Sequence, residues 1–202
     1  MSLQIKKWIA ALWLVLLLTA VFTIFWYSEL VYALPTAVPA NYKVGQAGKF
    51  IPLNGKLDFK NDRPVFLHFF NPECPCSRFN IDHFKTLVKT YHNQVNFAIV
   101  LLASRPYTEK EIQQRFGIDV PVVADTTLAA STGVYSTPQA VILSKNNSLY
   151  YRGNYNKTRY CTDKKTSYAS IAIEKLLHKN SLLTFDRSAF TAYGCTLPSC
   201  NK

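Results

Sequence analysis

The chain has 202 residues, 49% hydrophobic and 17% charged, a balance that excludes intrinsic disorder and suits one domain with a full core. Its formal net charge of +11 would suit an anionic membrane surface or a nucleic acid. No Arg/Lys cluster interleaved with aromatics accompanies that charge, so no nucleic-acid partner is expected.

Residues 8–27 (WIAALWLVLLLTAVFTIFWY) run twenty positions without a charge, enough for a helix of roughly 30 Å, the thickness of a hydrocarbon core. Lys6 and Lys7 precede the run, which places the N-terminus in the cytoplasm and the rest of the chain outside. Trp8 at one end and Trp26, Tyr27 and Tyr32 at the other fall where aromatic side chains favour the membrane interface. The rival is a cleavable signal peptide, with Val38-Pro39-Ala40 as its small-residue site; signal cores are shorter, about 7–15 residues. Residues 1–33 are therefore read as a cytoplasmic stub and membrane anchor of a bacterial inner-membrane protein facing the periplasm. Residues 34–48 (LPTAVPANYKVGQAG), with two prolines and two glycines, read as a linker.

Beyond the linker the apolar pattern alternates between strand and helix. Residues 64–70 (PVFLHFF) form a short aromatic run typical of a buried strand. Residues 77–92 place Phe79, Phe84, Leu87, Val88 and Tyr91 mainly three or four apart, an amphipathic helix. A second buried strand follows at 95–102. Residues 108–116 open with Thr108 and Glu111 in capping-box spacing and are followed by Gly117, a helix with both ends marked. A short strand at 121–124 leads to a short helix at 127–132, closed by Gly133. Residues 139–144 and 149–153 flank Asn146-Asn147 as a hairpin. A last helix spans 165–178, with Ile171, Ile173, Leu176 and Leu177 as its apolar content. This order predicts an α/β domain over 49–180, a mixed central sheet with helices on both faces, and a tail over 181–202.

The chemistry concentrates in five cysteines, Cys74, Cys76, Cys161, Cys195 and Cys200, an odd number that leaves one thiol without an intrachain partner. Cys74 and Cys76 lie where the first strong strand meets the first strong helix. There the unpaired N–H groups and the positive end of the helix dipole stabilise a thiolate, the species that attacks disulfides. Cys195 and Cys200, in a turn-rich tail, read either as a structural disulfide or as a relay to the Cys74 site. Cys161 is the odd thiol or a partner for one of them.

The stretch PVFLHFFNPECPC, with Val122-Val123-Ala124-Asp125 and Gly133-Val134-Tyr135-Ser136-Thr137-Pro138-Gln139-Ala140-Val141 in order behind it, resembles the thioredoxin-like superfamily. Within it, the likeness is to redoxins, the peroxiredoxin-related and membrane-tethered thiol–disulfide proteins, over about residues 49–177. Tyr151-Arg152-Gly153 resembles that family's hairpin return. The resemblance implies thiol–disulfide exchange with protein thiols or disulfides outside the cytoplasm, and a membrane electron donor as a further partner. Cys74 would attack, Cys76 would resolve, Pro138 would be the cis proline beside the site, and Thr137 would help position the substrate backbone. One departure stands out: a single residue, Pro75, separates the cysteines where thioredoxins have two. The alternative is a thiol-dependent, antioxidant peroxidase in which Cys74 is oxidised by peroxide and Cys76 or a distant cysteine resolves it. The activating threonine and arginine of peroxiredoxins are absent upstream, where Asn71-Pro72-Glu73 stands. Copper-delivery proteins share the fold and would use Cys74, Cys76 and one of His68, His83 or His92. Their histidine lies near the Thr-Pro segment, and here none occurs between His92 and His178. The remaining alternative is a redoxin-shaped domain with structural cysteines only. No cofactor is expected, since no phosphate-binding glycine loop is present.

Overall fold

The computed structural model describes residues 2–30, 33–53, 55, 57–158, 161, 163–178 and 184–197. The chain divides into two compact units, one up to Leu34 and one from Pro35 onward. The first is a single helix, α1 (Leu3–Phe25), extended by a π-helical turn at Trp26–Leu30. Together they are long and apolar enough to cross a membrane, a test that a signal sequence also passes. Its threonines are compatible with an apolar setting: the Thr19 and Thr23 hydroxyls donate to the carbonyls of Val15 and Thr19, both at 2.8 Å.

In the second unit, β1 (Val65–Phe70) is the middle strand of a five-stranded sheet. Parallel to it on one side run β2 (Asn96–Leu101) and then β3 (Val122–Ala124). On the other side β5 (Gln139–Leu143) and β6 (Leu149–Gly153) form an antiparallel hairpin. Helices α2 (Pro75–Tyr91) and α3 (Glu109–Phe116) make the two parallel crossovers, and α4 (Thr126–Thr132) leads from β3 towards β5. A 3₁₀ turn at Lys164–Thr166 precedes α5 (Tyr168–Leu177), the closing helix. This mixed sheet, covered on both faces, is the thioredoxin-like fold.

The period-2 alternation of side chains divides the apolar residues of β1 between two cores. Phe66 and Phe70, with Phe97, Ile99 and Ile142, pack on Phe84 and Leu87 of α2 and on Ala172 and Ile173 of α5. Leu67 and Phe69, with Val100 and Val141, face Leu128 and Ala129 of α4 and Ile51 from the segment before the sheet. A bulge between Ile142 and Leu143 pairs them with Tyr151 and Leu149, so two same-parity residues of β6 enter opposite cores.

Local signals set the element ends. Thr108 and Glu111 form a reciprocal capping box, with N–H to oxygen distances of 2.7 and 3.2 Å, and Gly117 ends α3 at φ 60°. Asp125 Oδ1 accepts the Thr127 N–H at 2.8 Å and caps α4, which Gly133 closes at φ 73°. The hairpin turns on Asn147, at φ 55°, whose N–H donates to Ser144 O at 2.9 Å. Helix α2 starts at Pro75, two residues earlier than the apolar spacing suggests, because a fixed φ and a missing N–H suit a first helical position.

Three elements have no counterpart in the sequence reading. Strands β4 (Ser136–Thr137) and β7 (Cys195–Thr196) pair antiparallel in a separate two-stranded sheet, and α6 (Arg187–Phe190) is a single turn. Residues 36–48 are tied to the rest of the second unit. Thr36 N–H donates to Ala192 O at 2.8 Å, the Tyr42 hydroxyl to Gly133 O at 2.9 Å, and Gly48 N–H to Leu149 O at 2.8 Å.

Candidate active site

Cys74 is the last residue before α2, in extended conformation, with its N–H donating to Asn71 O at 3.1 Å. Its side chain is fully buried and disulfide-bonded to Cys195, 121 residues downstream, with the Cα atoms 6.3 Å apart. The oxidised pair is thus Cys74–Cys195 rather than Cys74–Cys76. Cys76 is a buried thiol on the first turn, and its carbonyl accepts the Asn80 side-chain N–H at 3.1 Å.

The other wall of the site is the turn between β4 and β5. The Thr137–Pro138 peptide is cis, and Thr137 O lies 3.7 Å from Cys74 Sγ. The Thr137 side chain is buried, and its hydroxyl has no hydrogen-bond partner among the described residues. Strand β7 pairs with β4 in the register Thr137↔Cys195 and Ser136↔Thr196, which brings Cys195 opposite Cys74. Gly194, just before it, is held by Thr36, whose hydroxyl accepts the Gly194 N–H and donates to the Gly194 carbonyl, both at 3.0 Å. Ser136 Oγ lies 3.2 Å from the same hydroxyl.

Glu73, adjacent to Cys74, carries the nearest negative charge along the chain. It accepts hydrogen bonds from Ser104 Oγ, Arg105 Nε and Tyr107 Oη at 3.1–3.3 Å. These bonds tie the turn after β1 to the loop after β2 and turn the carboxylate's charge towards cationic and donor groups. Cys74 thus stands at the N-terminal end of a 17-residue helix.

The remaining cysteines and histidines lie elsewhere. Cys161 is half-buried, its Sγ 3.0 Å from Asn80 Oδ1, and burial pushes its thiol up to about 12, so it stays protonated at neutral pH. Cys200 lies outside the described residues. His68 is fully buried in the α2 core, stacked on Phe84, with Nδ1 2.6 Å from the Tyr155 hydroxyl. Burial, and secondarily the nearby His83, pull its pKa down to about 3. His83 is half-buried, its pKa lowered by burial, and its Nε2 lies 3.4 Å from Ser167 Oγ. Among the described residues no three His, Cys, Asp or Glu side chains group as a metal site.

The sequence reading ranked Cys76 first as the partner of Cys74, gave Cys195 only as a relay or half of a structural disulfide, and gave no role to Thr36 or Gly194. The pairing had one faint signal, the turn-rich tail that holds Cys195. Thr36 had none, because its role is made by contact across 158 residues.

A family model described as a domain of unknown function (DUF6436) matches residues 47–197. No curated protein matches the chain. Among solved structures, the chain is similar to a hypothetical protein from Sinorhizobium meliloti, at 14% identity and a TM-score of 0.61, over 81% of this chain and 96% of that one. It is also similar to an uncharacterized conserved protein from Geobacillus kaustophilus, at 18% identity and a TM-score of 0.60, over 80% and 97%. A third similarity is to the C-terminal domain of a putative thiol-disulfide oxidoreductase from Bacteroides thetaiotaomicron. Identity there is 13% and the TM-score 0.51, over 69% of this chain and 99% of the other. At these identities the likeness is one of fold.

Proposed function

The chain belongs to the DUF6436 family, and we propose that it is a thiol–disulfide oxidoreductase acting on protein cysteines outside the cytoplasm. One observation carries the reading: a cysteine at the start of a long helix is bonded to a cysteine on a separately held strand, against the Thr137 carbonyl. In the reduced chain the Cys74 thiolate attacks a partner disulfide. A Cys74–partner bond forms and one partner sulfur leaves as thiolate. Cys195 then attacks the Cys74 sulfur, the second partner sulfur leaves, and the Cys74–Cys195 bond closes. Cys76 stands next in line: attack on Cys74 would exchange that bond for Cys74–Cys76 and release Cys195. Thr137 positions the partner backbone, and Pro138 shapes the turn that presents it. Residues 1–33 anchor the domain in the bacterial inner membrane with residues 49–180 on the periplasmic side, where disulfides persist.

Trapping tests this mechanism. Cys195→Ser, and more strongly Cys195→Ser with Cys76→Ser, is expected to accumulate mixed disulfides with other proteins in the native compartment. Cys74→Ser should accumulate none. If the double variant traps nothing, while peroxide converts wild-type Cys74 to sulfenic acid with rapid peroxide loss, the site is a peroxidase with Cys195 as resolving thiol. The anchor is tested separately by reporters fused after Lys202. One that is active only in the periplasm should be active, and one that is active only in the cytoplasm silent; the reverse pattern would remove the localisation.

A further inference from the structure

We propose that the β4 edge beside Cys74 docks an extended Gly-Cys segment of a partner protein, with the glycine before the reacting cysteine required. The proposal rests on Cys74 being the exchanging thiol and names the class of substrate that this site accepts. The chain's own arm shows the mode of docking. Gly194-Cys195-Thr196 lies on β4 as an added strand, held by backbone pairing and by Thr36, and the cysteine opposite Thr137 is the one that bonds Cys74. Each of these holds is reversible. When the disulfide is open, a partner strand can replace the arm on the same edge.

Register does the selecting. A slip of one residue would turn the cysteine to the opposite face, so a reacting cysteine must take the place of Cys195 and its predecessor that of Gly194. A Cβ at that preceding position would lie 2.1 Å from Thr137 O, 2.8 Å from the Thr137 carbonyl carbon and 2.9 Å from Ser136 Oγ. Two of these atoms are backbone. The same carbonyl oxygen is already against Cys74 Sγ, so it cannot retreat without disturbing the site. The backbone at Gly194 is not in the left-handed region, so close approach alone demands glycine here. A partner with alanine, or anything larger, before its cysteine would meet the Thr137 carbonyl first.

The test uses the full chain in detergent micelles with Cys76→Ser and Cys195→Ser, reduced and freed of reductant. Matched peptides carry Gly, Ala or Val before a cysteine held as a mixed disulfide with thionitrobenzoate. The Cys74 thiolate attacks the peptide sulfur, the bond to thionitrobenzoate breaks, and the coloured thionitrobenzoate thiolate leaves. Rates are corrected with a Cys74→Ser background and normalised to each peptide's reaction with glutathione. The Gly peptide is expected to react at least about tenfold faster than the Ala peptide, with Val slower still. Equal rates for Gly and Ala, with Ellman's reagent still labelling Cys74, would overturn the proposal and leave the oxidoreductase reading standing. If Cys74 is inert to Ellman's reagent and to every peptide, that reading falls and the proposal with it. In the otherwise unchanged chain, Gly194→Ala should lower the equilibrium for forming Cys74–Cys195 in a glutathione buffer by about tenfold or more. A wild-type equilibrium there would also overturn it, and the peptide series decides the matter should that variant not fold.

Discussion

Reducing the Cys74–Cys195 bond is expected to lower the thermal midpoint of the Cys76→Ser chain in micelles by about 5–10 °C. The bond closes a loop across 121 residues, from the start of α2 to the C-terminal arm. Loop-closure entropy for that length has an upper value of about 5 kcal/mol, and measured disulfides more often give about 2–4. A domain of this size loses roughly 2–4 °C per kcal/mol. The Cys195→Ser chain should show the lower midpoint without reductant and should not respond to it. An unchanged midpoint would mean that Thr36 and β4 hold the arm equally well without the bond. The measurement also bears on the direction of electron flow. Whatever stability the bond adds to the folded state must be overcome to reduce it, and about 1.4 kcal/mol corresponds to 30 mV for a two-electron couple. A drop near the entropic limit describes a bond that resists reduction and a chain that gives electrons away. A rise on reduction describes an oxidant.

The arm on which this result depends is also what sequence reading could least supply. Elements whose signals are local were legible: the capping box of Thr108 and Glu111, the left-handed Gly117 and Gly133, the aromatic run of β1, and the turn at Asn147. Each is decided within a few residues by sterics and hydrogen bonds. The thiol at the start of α2 was legible for the same reason, since strand, proline and helix are contiguous there. Its partner was legible only as one of several cysteines. Cysteine spacing does not determine connectivity, and Cys76, on the first turn of α2, is the nearer candidate along the chain. Strands β4 and β7 are two residues long, too short to show any period. Thr36, in a proline-containing stretch read as a linker, is 4% exposed because Gly194 and Ser136 close over it. Gly194 resembles any turn glycine in sequence, and only the approach of Thr137 O shows why a side chain does not fit.

The second large effect concerns His68 and acid. Its ring sits among Phe70, Phe84 and Tyr155 in the α2 core, with Nδ1 on the Tyr155 hydroxyl and Nε2 buried without a partner among the described residues. Burial first, and the field of His83 second, hold its folded pKa near 3 against an ordinary value of 6.5. The folded state therefore refuses a proton that the unfolded state accepts. Above pH 6.5 both states are neutral and the residue adds no slope. As pH falls from 6.5 towards 3 the unfolded state gains protons and stability drains away. At pH 4 the loss is roughly 3 kcal/mol, from about 1.36 kcal/mol per pH unit. His68→Phe alone would also strand the Tyr155 hydroxyl, at about 1–3 kcal/mol, so the informative variant is His68→Phe with Tyr155→Phe, which removes both partners. Urea unfolding in micelles should find that double variant at least as stable as wild type at pH 7, and roughly 3 kcal/mol more stable at pH 4. His83, whose pKa burial also lowers, remains in both proteins and contributes the same residual slope to each. Identical pH dependence in the two would show that the folded state protonates His68 freely and that burial does not hold its pKa down.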